Sequence, residues 1–198
     1  VSHGDYDKST TAYIALVEKK GTDESYAEAL QLLYSLAGLE SRVVYGRLNN
    51  SPEVPHLFNK VKVDGEWYNV SAILDDREYP HREVVGHGHC MVNDRVMAQR
   101  YHWERGRYPA ATGTDNAWYD QRGETVASQA GLERQVRAQL AAGKKTVMVW
   151  IDDYSSADYD FGFAKALNGE KQVRISYVEA LPRTDRPVAT EVIMLFSE

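Results

Sequence analysis

The pair Asp64-Gly65 is the sequence feature that most restricts how this chain can fold. Asp-Gly tolerates the positive φ angles that a two-residue β-turn requires, and runs rich in aromatic and β-branched residues flank it on both sides. The runs His56–Val63 and Glu66–Leu74 are therefore predicted to be the arms of an antiparallel hairpin. A further strand is predicted at Ser41–Leu48, which is rich in Val and Tyr and is followed by a polar loop.

A core-facing helix is predicted ahead of these strands. Ser25 and Glu28 have the spacing of a capping box, so the helix is expected to begin at about residue 25 and to stop at Gly38. Its predicted buried face consists of Tyr26, Ala29, Leu30, Leu33 and Leu36, which recur at helical spacing. A shorter helix is predicted within residues 1–20.

The regular patterns start again after Ser128, beyond a loop-rich stretch. A helix is predicted to end at Gly143, and a continuous apolar run at Thr146–Ile151 indicates a buried strand. Another helix (Phe161–Leu167) and two more strands (Lys171–Glu179 and Val188–Phe196) are predicted after it. We therefore expect an α+β fold, with a core and its loop-rich extension in residues 1–124 and a small α/β unit in residues 125–198.

Charge and composition exclude some functions. The chain has 23 basic and 29 acidic residues, a net charge of -6, so it has no overall basic field to attract nucleic acid or anionic lipid. No apolar run approaches the ~20 residues that cross a bilayer, so membrane insertion is not expected. The single cysteine, Cys90, excludes an internal disulfide and a cysteine-based zinc site.

Three segments together resemble the transglutaminase-like superfamily, whose fold is the papain-like cysteine-hydrolase fold. Residues 21–27 (GTDESYA) are similar to the family's Gly-x-Cys-x-Gly-Tyr-Ala helix start, and residues 38–46 (GLESRVVYG) to its Gly-Leu-x-x-Arg-x-Val-x-Gly strand entry. Residues 56–70 (HLFNKVKVDGEWYNV) are similar to a hairpin with His-Ala-Trp-Asn on one arm and Trp-Tyr-x-Val-Asp on the other. The resemblance implies a helix packed on an antiparallel sheet.

The resemblance also assigns three site positions. A thiol at a helix N-terminus, a histidine on a neighbouring strand and an orienting carboxylate make up the family's catalytic site. The corresponding positions here are Asp23 for the cysteine, His56 for the histidine and Ser71 for the orienting Asp. A carboxylate is a poor acyl-transfer nucleophile and a serine hydroxyl cannot stabilise an imidazolium by charge, so we interpret the site as a degenerate and inactive triad.

The resemblance implies a non-catalytic domain that serves as a binding or structural module. Its former active-site cleft would receive a peptide, a protein or a cell-wall ligand, and no cofactor is expected. Residues 108–112 (YPAAT) resemble an element of bacterial surface members of the family, which implies an extracellular or cell-surface protein. We also expect Asp23 and His56 to form an ion pair that raises the pKa of His56.

Three alternatives remain open on sequence grounds. Ser71, His56 and Asp23 contain the residue types of a serine triad, with hydroxyl and carboxylate exchanged across the histidine, so an active hydrolase is one alternative. His87 and His89 alternate as on one strand face and, with His81, would make a metal-binding module. Cys90 is a possible displaced nucleophile, although a cysteine among apolar residues is more often a core thiol.

Overall fold

The chain divides into two compact units, Val1–Trp118 and Tyr119–Glu198. The computed structural model describes residues 10–77, 84–155, 157–177 and 188–196. Helices and sheets occur in both units, and the predicted α+β class is confirmed. No helix in the described part of the chain combines the length and apolar character needed to cross a membrane.

The first unit is built on a five-stranded antiparallel sheet with the order β4-β3-β2-β1-β5. Its elements are, in chain order, α1 (Ala12–Leu16), α2 (Asp23–Leu36), β1 (Ser41–Leu48), β2 (Ser51–Val63), β3 (Glu66–Val70), α3 (Ala72–Arg77), β4 (Cys90–Val92), α4 (Asp94–Met97), β5 (Tyr101–Trp103) and a 3₁₀ turn (Arg105–Arg107).

The predicted hairpin forms, but its second arm is shorter than expected. β2 and β3 pair around Asp64 and Gly65, whose φ angles of 51° and 89° are the positive values that the turn requires. The predicted extension of the strand to Leu74 is wrong, because the chain turns into α3 after Ser71. The Asp75 N–H donates to Ser71 O at 3.3 Å, and the resulting helical turn buries the adjacent residues Ile73 and Leu74 together.

Helix α2 begins at Asp23, two residues earlier than predicted, and only part of its predicted face is buried. The Ser25–Glu28 capping box is wrong. Ser25 is instead the third residue of the helix, and its Oγ accepts a hydrogen bond from Thr22 N at 3.4 Å. Ser25, Ala27 and Ala29 are buried, whereas Leu33 and Leu36 have exposed fractions of 45% and 76%.

The small residues allow α2 to approach the sheet closely. Asn59 Nδ2 on β2 donates to the carbonyl of Ala27 at 2.9 Å, which ties the helix backbone to the strand. Farther along the helix, Leu30 and Tyr34 pack against the buried cluster of Val61, Tyr68 and Val70. The N-terminus of α2 is thereby fixed above the part of β2 that carries His56.

Strand β5 forms the edge of the sheet opposite β4, and Gly46 on β1 allows β5 to lie close to β1. Gly46 pairs with Trp103, and a Cβ atom at position 46 would lie 3.0 Å from the carbonyl oxygen of His102. Leu48 pairs with Tyr101 in the same register. The aromatic side chains of β5 consequently lie against Phe58 of β2, with ring centroids 4.7 Å from Tyr101 and 5.3 Å from Trp103.

A polar junction holds the segment after β5 against this sheet. Asp94 accepts hydrogen bonds from Lys60 Nζ at 2.6 Å, from Asn69 Nδ2 at 2.9 Å and from Ala111 N at 3.2 Å. Tyr108 Oη accepts a further bond from Tyr45 N at 3.1 Å. The YPAAT element is therefore anchored to the core of the first unit.

The second unit contains a four-stranded mixed sheet with the order β6-β7-β9-β8. Its elements are α5 (Trp118–Gln121), which starts at the last residue of the first unit, β6 (Thr125–Val126), α6 (Gln129–Ala141), β7 (Thr146–Tyr154), α7 (Phe163–Leu167), β8 (Val173–Tyr177) and β9 (Val188–Phe196). Ser128 caps α6 through a bond from Gly131 N at 3.2 Å. The predicted helix after Ser128 and the buried strand at Thr146–Ile151 are confirmed.

Candidate functional site

Asp23 lies at the first turn of α2, and its carboxylate reaches across to strand β2. Its Oδ2 accepts a hydrogen bond from the backbone N–H of Leu57, with an N to O distance of 2.7 Å. The helix N-terminus favours an anion at this position. The carboxylate thus acts as a connection between the helix and the strand.

His56 precedes Leu57 on β2 and is buried, with an exposed fraction of 7%. Its Nδ1 lies 3.8 Å from Asp23 Oδ2, close enough for electrostatic attraction but too far for a hydrogen bond. Burial lowers the pKa of His56 below its ordinary value of 6.5, and the attraction of Asp23 offsets only part of that effect. The predicted raised pKa is therefore wrong, because removing the imidazole from water outweighs its attraction to one carboxylate.

The phenol of Tyr101 lies between His56 and Ser71. Tyr101 Oη is 2.9 Å from His56 Nδ1 and 2.9 Å from Ser71 Oγ, and all three side chains are buried. When Nδ1 carries no proton, the Ser71 hydroxyl donates to Tyr101, whose own hydroxyl donates to the imidazole. The side chains of His56, Tyr101 and Ser71 form a hydrogen-bonded chain, and Asp23 approaches the same imidazole nitrogen.

The structure brings the three predicted site residues into one region, but not in the order of a serine triad. A triad serine must face the imidazole, and the carboxylate must hold the other ring nitrogen. Here the hydroxyl of Ser71 is directed to Tyr101, while Asp23 and Tyr101 both approach Nδ1 of His56. Ser71 follows β3 and is buried, so its hydroxyl is not presented to a substrate. The geometry gives no support to the permuted triad.

His87 and His89 of the metal hypothesis do not share one strand face. The predicted strand is absent at positions 87 and 89, since β4 begins at Cys90. His87 stacks on Trp118 with ring centroids 4.0 Å apart, whereas His89 Nδ1 lies 3.0 Å from Asp75 Oδ1. His81 lies outside the described residues. Among the residues that the structure does describe, no three His, Cys, Asp or Glu side chains are grouped to hold a metal ion.

Cys90 is half-buried at the start of β4 and pairs with Val70 of β3. Burial raises the pKa of its thiol to about 11, and the charge of Asp75 contributes in the same direction. The reactive thiolate is consequently a minor species at neutral pH. These surroundings are those of a structural thiol.

Tyr101 is the site residue that sequence reasoning missed. It lies in the loop-rich stretch, where the sequence analysis predicted no strand around residue 101. The available signal was the aromatic alternation Tyr101-His102-Trp103, which the structure shows as a strand with buried, exposed and buried side chains. Three residues are too few for period-two alternation to be distinguished from chance.

A comparison with family models gives a match in the N-terminal part of the chain. Residues 2–72 match the family model of the transglutaminase-like superfamily. A search of curated proteins gave no match. The matched segment contains Asp23, His56 and Ser71 and ends well before Tyr101, so the residue that joins His56 to Ser71 comes from outside it.

Proposed function

We propose that this chain contains a non-catalytic transglutaminase-like domain, in which the former reaction centre has become a buried connection between helix and sheet. The observation that carries the proposal is the position of Asp23. Where the family has a thiol, this chain has a carboxylate bonded to Leu57 N at 2.7 Å. A carboxylate that accepts a backbone hydrogen bond is stabilised as an anion and is a poor nucleophile.

The surroundings of His56 support the same proposal. Catalysis with a thiol requires an imidazole that takes up a proton from it. Burial opposes this step, because it favours the neutral form of His56 over the protonated form. Tyr101 Oη also forms a hydrogen bond with Nδ1 of His56, at 2.9 Å. The imidazole is therefore engaged by a residue of the fold and is not presented to a substrate.

The domain then acts as a binding or structural module, and its partner is a peptide, a protein or a cell-wall ligand. Because His56, Ser71 and Tyr101 are buried, we propose that the partner contacts another surface of the domain. We further propose that the domain belongs to a secreted or surface protein of a bacterium, on the basis of the YPAAT element at residues 108–112. Fractionation of the bacterium that encodes the protein, with an antibody to the domain, tests this location.

Activity measurements on the purified full chain test the absence of catalysis. We expect neither incorporation of an amine into a glutamine-containing peptide nor peptide hydrolysis above the rate without protein. The matched variant is His56→Ala, which removes the base and leaves Asp23 and Ser71 in place. Turnover by the native chain that disappears in His56→Ala would overturn the proposal.

Replacement of Asp23 by a thiol provides a second test. In a Cys90→Ala background, Asp23→Cys should be alkylated with the pH dependence of an ordinary thiol, because Tyr101 keeps the imidazole from forming an ion pair with it. Fast alkylation below pH 6 that is lost on adding His56→Ala would contradict this expectation. Such a result would mean that the imidazole is still available to activate a nucleophile.

A further inference from the structure

The second unit contains a cavity of about 810 Å³ that is widely open to solvent. Three aromatic rings line it: Tyr154, Tyr159 and Phe161. The ring of Tyr154 is stacked on those of Tyr159 and Phe161, with centroids 5.8 Å and 6.3 Å apart. Val173 and Ile175 of β8 add apolar surface. The lining of the cavity is therefore aromatic and apolar, and it also includes charged side chains.

Among the residues that the structure describes, the charged side chains of the lining carry an excess of negative charge. They are Asp160, Lys165 and Glu170, two acids and one base. Lys165 Nζ lies 3.5 Å from Glu170 Oε2, so these two side chains neutralise each other. Asp160 Oδ1 accepts a hydrogen bond from Gly162 N at 2.8 Å, and Asp160 forms no ion pair with any residue in the described part of the chain. One carboxylate thus remains without a cationic partner beside the aromatic rings.

We propose that this cavity binds a basic side chain of a peptide, arginine in particular. A guanidinium donates two parallel hydrogen bonds to a carboxylate and stacks on aromatic rings, so Asp160 and Phe161 together complement both of its properties. The volume also accommodates the residues that flank an arginine. Every lining residue that the structure describes lies between positions 154 and 175, outside the segment that matches the family model and contains Asp23 and His56.

Calorimetric titration of the full chain with two short peptides tests the charge requirement. Acetyl-Ala-Arg-Ala-amide is compared with the same peptide containing citrulline, which keeps the shape of arginine but has no charge. We expect the arginine peptide to bind roughly tenfold more tightly, the increment that one charged contact with an aromatic neighbour gives. Sodium chloride at about 0.5 M should reduce the difference, because salt screens exposed charges. Equal binding of both peptides, or no binding of either, would overturn the proposal.

Two matched variants test the place of binding. Asp160→Asn keeps the oxygen that accepts from Gly162 N but removes the charge, and it should abolish the preference for arginine over citrulline. Asp158→Asn makes the same exchange two residues away, at an exposed residue that does not line the cavity, and should leave the preference unchanged. Equal losses in both variants would indicate a general charge effect and overturn the assignment. His56→Ala should bind like the native chain, so this test is independent of the proposed loss of catalysis.

Discussion

The carboxylate of Asp23 accepts a hydrogen bond from the backbone N–H of Leu57, with 2.7 Å between Oδ2 and N. One residue earlier, Nδ1 of His56 lies 3.8 Å from the same oxygen. A single carboxylate oxygen thus supplies a partner for the strand backbone and a negative charge near the buried imidazole. The Asp23 carboxylate thus connects the first turn of α2 to β2.

Asp23→Ala should destabilise the protein because it leaves Leu57 N without its acceptor. An unsatisfied buried donor costs about 1–3 kcal/mol, which urea unfolding measures directly. Glu24→Ala is the matched control, since it also removes a carboxylate from the first turn of α2. The Glu24 carboxylate accepts no hydrogen bond within the described residues. Equal losses in the two variants would show that the helix dipole, and not the bond to Leu57, accounts for the effect.

The buried imidazole of His56 should make stability depend on mildly acidic pH. Its pKa in the folded protein lies below the ordinary value of 6.5, so the unfolded chain binds the proton more readily. The stability that the neutral His56 imidazole contributes is therefore fully present above pH 6.5. It is lost as the pH falls from there towards the pKa of His56 in the folded protein. Asp23→Asn removes the attraction that partly restores the pKa, so NMR titration should show a still lower value for His56 in that variant.

Urea unfolding between pH 5 and pH 7.5 measures this dependence in the native chain and in two glutamine variants. His56→Gln should flatten the acid side of the curve, since it removes the buried titrating group. His102→Gln changes an exposed histidine and should leave the curve as it is. Identical pH dependence in the native chain and His56→Gln would contradict the assigned lowering of the pKa.

The hydroxyl of Tyr101 should couple energetically to that of Ser71. Tyr101→Phe leaves Ser71 Oγ and His56 Nδ1 without their shared partner, so it should cost on the order of 2 kcal/mol. Once that hydroxyl is gone, Ser71→Ala should cost much less than it does in the native chain. A double-mutant cycle should give a coupling energy of roughly 0.5–3 kcal/mol.

Tyr108→Phe provides the matched cycle for this prediction. Its hydroxyl accepts from Tyr45 N in another part of the sheet and makes no bond to Ser71. The cycle of Tyr108→Phe with Ser71→Ala should therefore be additive within about 0.5 kcal/mol. A coupling energy for Tyr101 as small as this control value would mean that the phenol does not join His56 to Ser71.

Gly46→Ala should disturb the site from the opposite side of β1. The added Cβ would lie 3.0 Å from the carbonyl oxygen of His102, and a backbone atom cannot move aside as a flexible side chain does. We expect β5 to shift, with a loss of stability and a change in the NMR titration of His56. Gly106→Ala meets nothing within 4 Å and is the control. An unchanged His56 titration in Gly46→Ala would show that Tyr101 reaches the imidazole independently of this close approach.

Local signals in the sequence were sufficient to predict the hairpin but not to predict which side of α2 is buried. Asp64-Gly65 determines its own backbone angles, so the turn and the pairing of β2 with β3 could be predicted without knowledge of the rest. The buried side of α2 depends on what the helix packs against. Apolar spacing correctly indicated Ala29 and Leu30, but it also indicated Leu33 and Leu36, which are exposed, and it missed Ala27, which is buried.

The same distinction applies to the candidate site. Asp23, His56 and Ser71 are found from sequence because they occupy motif positions within one continuous stretch. Tyr101 lies 30 residues beyond Ser71 and meets it only through the pairing of β5 with β1. No pattern local to Tyr101 specifies that contact. A contact supplied by another strand therefore cannot be predicted from motif positions alone.

Lys60 and Asp94 form a buried ion pair whose two members should respond unequally to replacement. Lys60 has an exposed fraction of 0%, and its Nζ lies 2.6 Å from Asp94 Oδ1. Burial lowers the pKa of Lys60, and the bond to Asp94 offsets part of that effect. Asp94→Asn leaves the ammonium without an opposing charge, so it should cost about 3–5 kcal/mol at neutral pH.

Lys60→Met should cost less, because it removes the charge that needs a partner, while Asp94 keeps its bonds from Asn69 and Ala111.

The penalty of Asp94→Asn should also shrink as the pH rises. Without Asp94 the pKa of Lys60 falls further in the folded protein, so the unfolded chain holds more protons and stability increases with pH. Urea unfolding at pH 7 and pH 9.5 measures both effects. Glu104→Gln breaks the exposed pair with Arg107, whose side chains are 72% and 70% exposed, and should change the free energy of unfolding very little at either pH. If Lys60→Met were as damaging as Asp94→Asn, packing of the lysine stem and not its unpaired charge would be the cause.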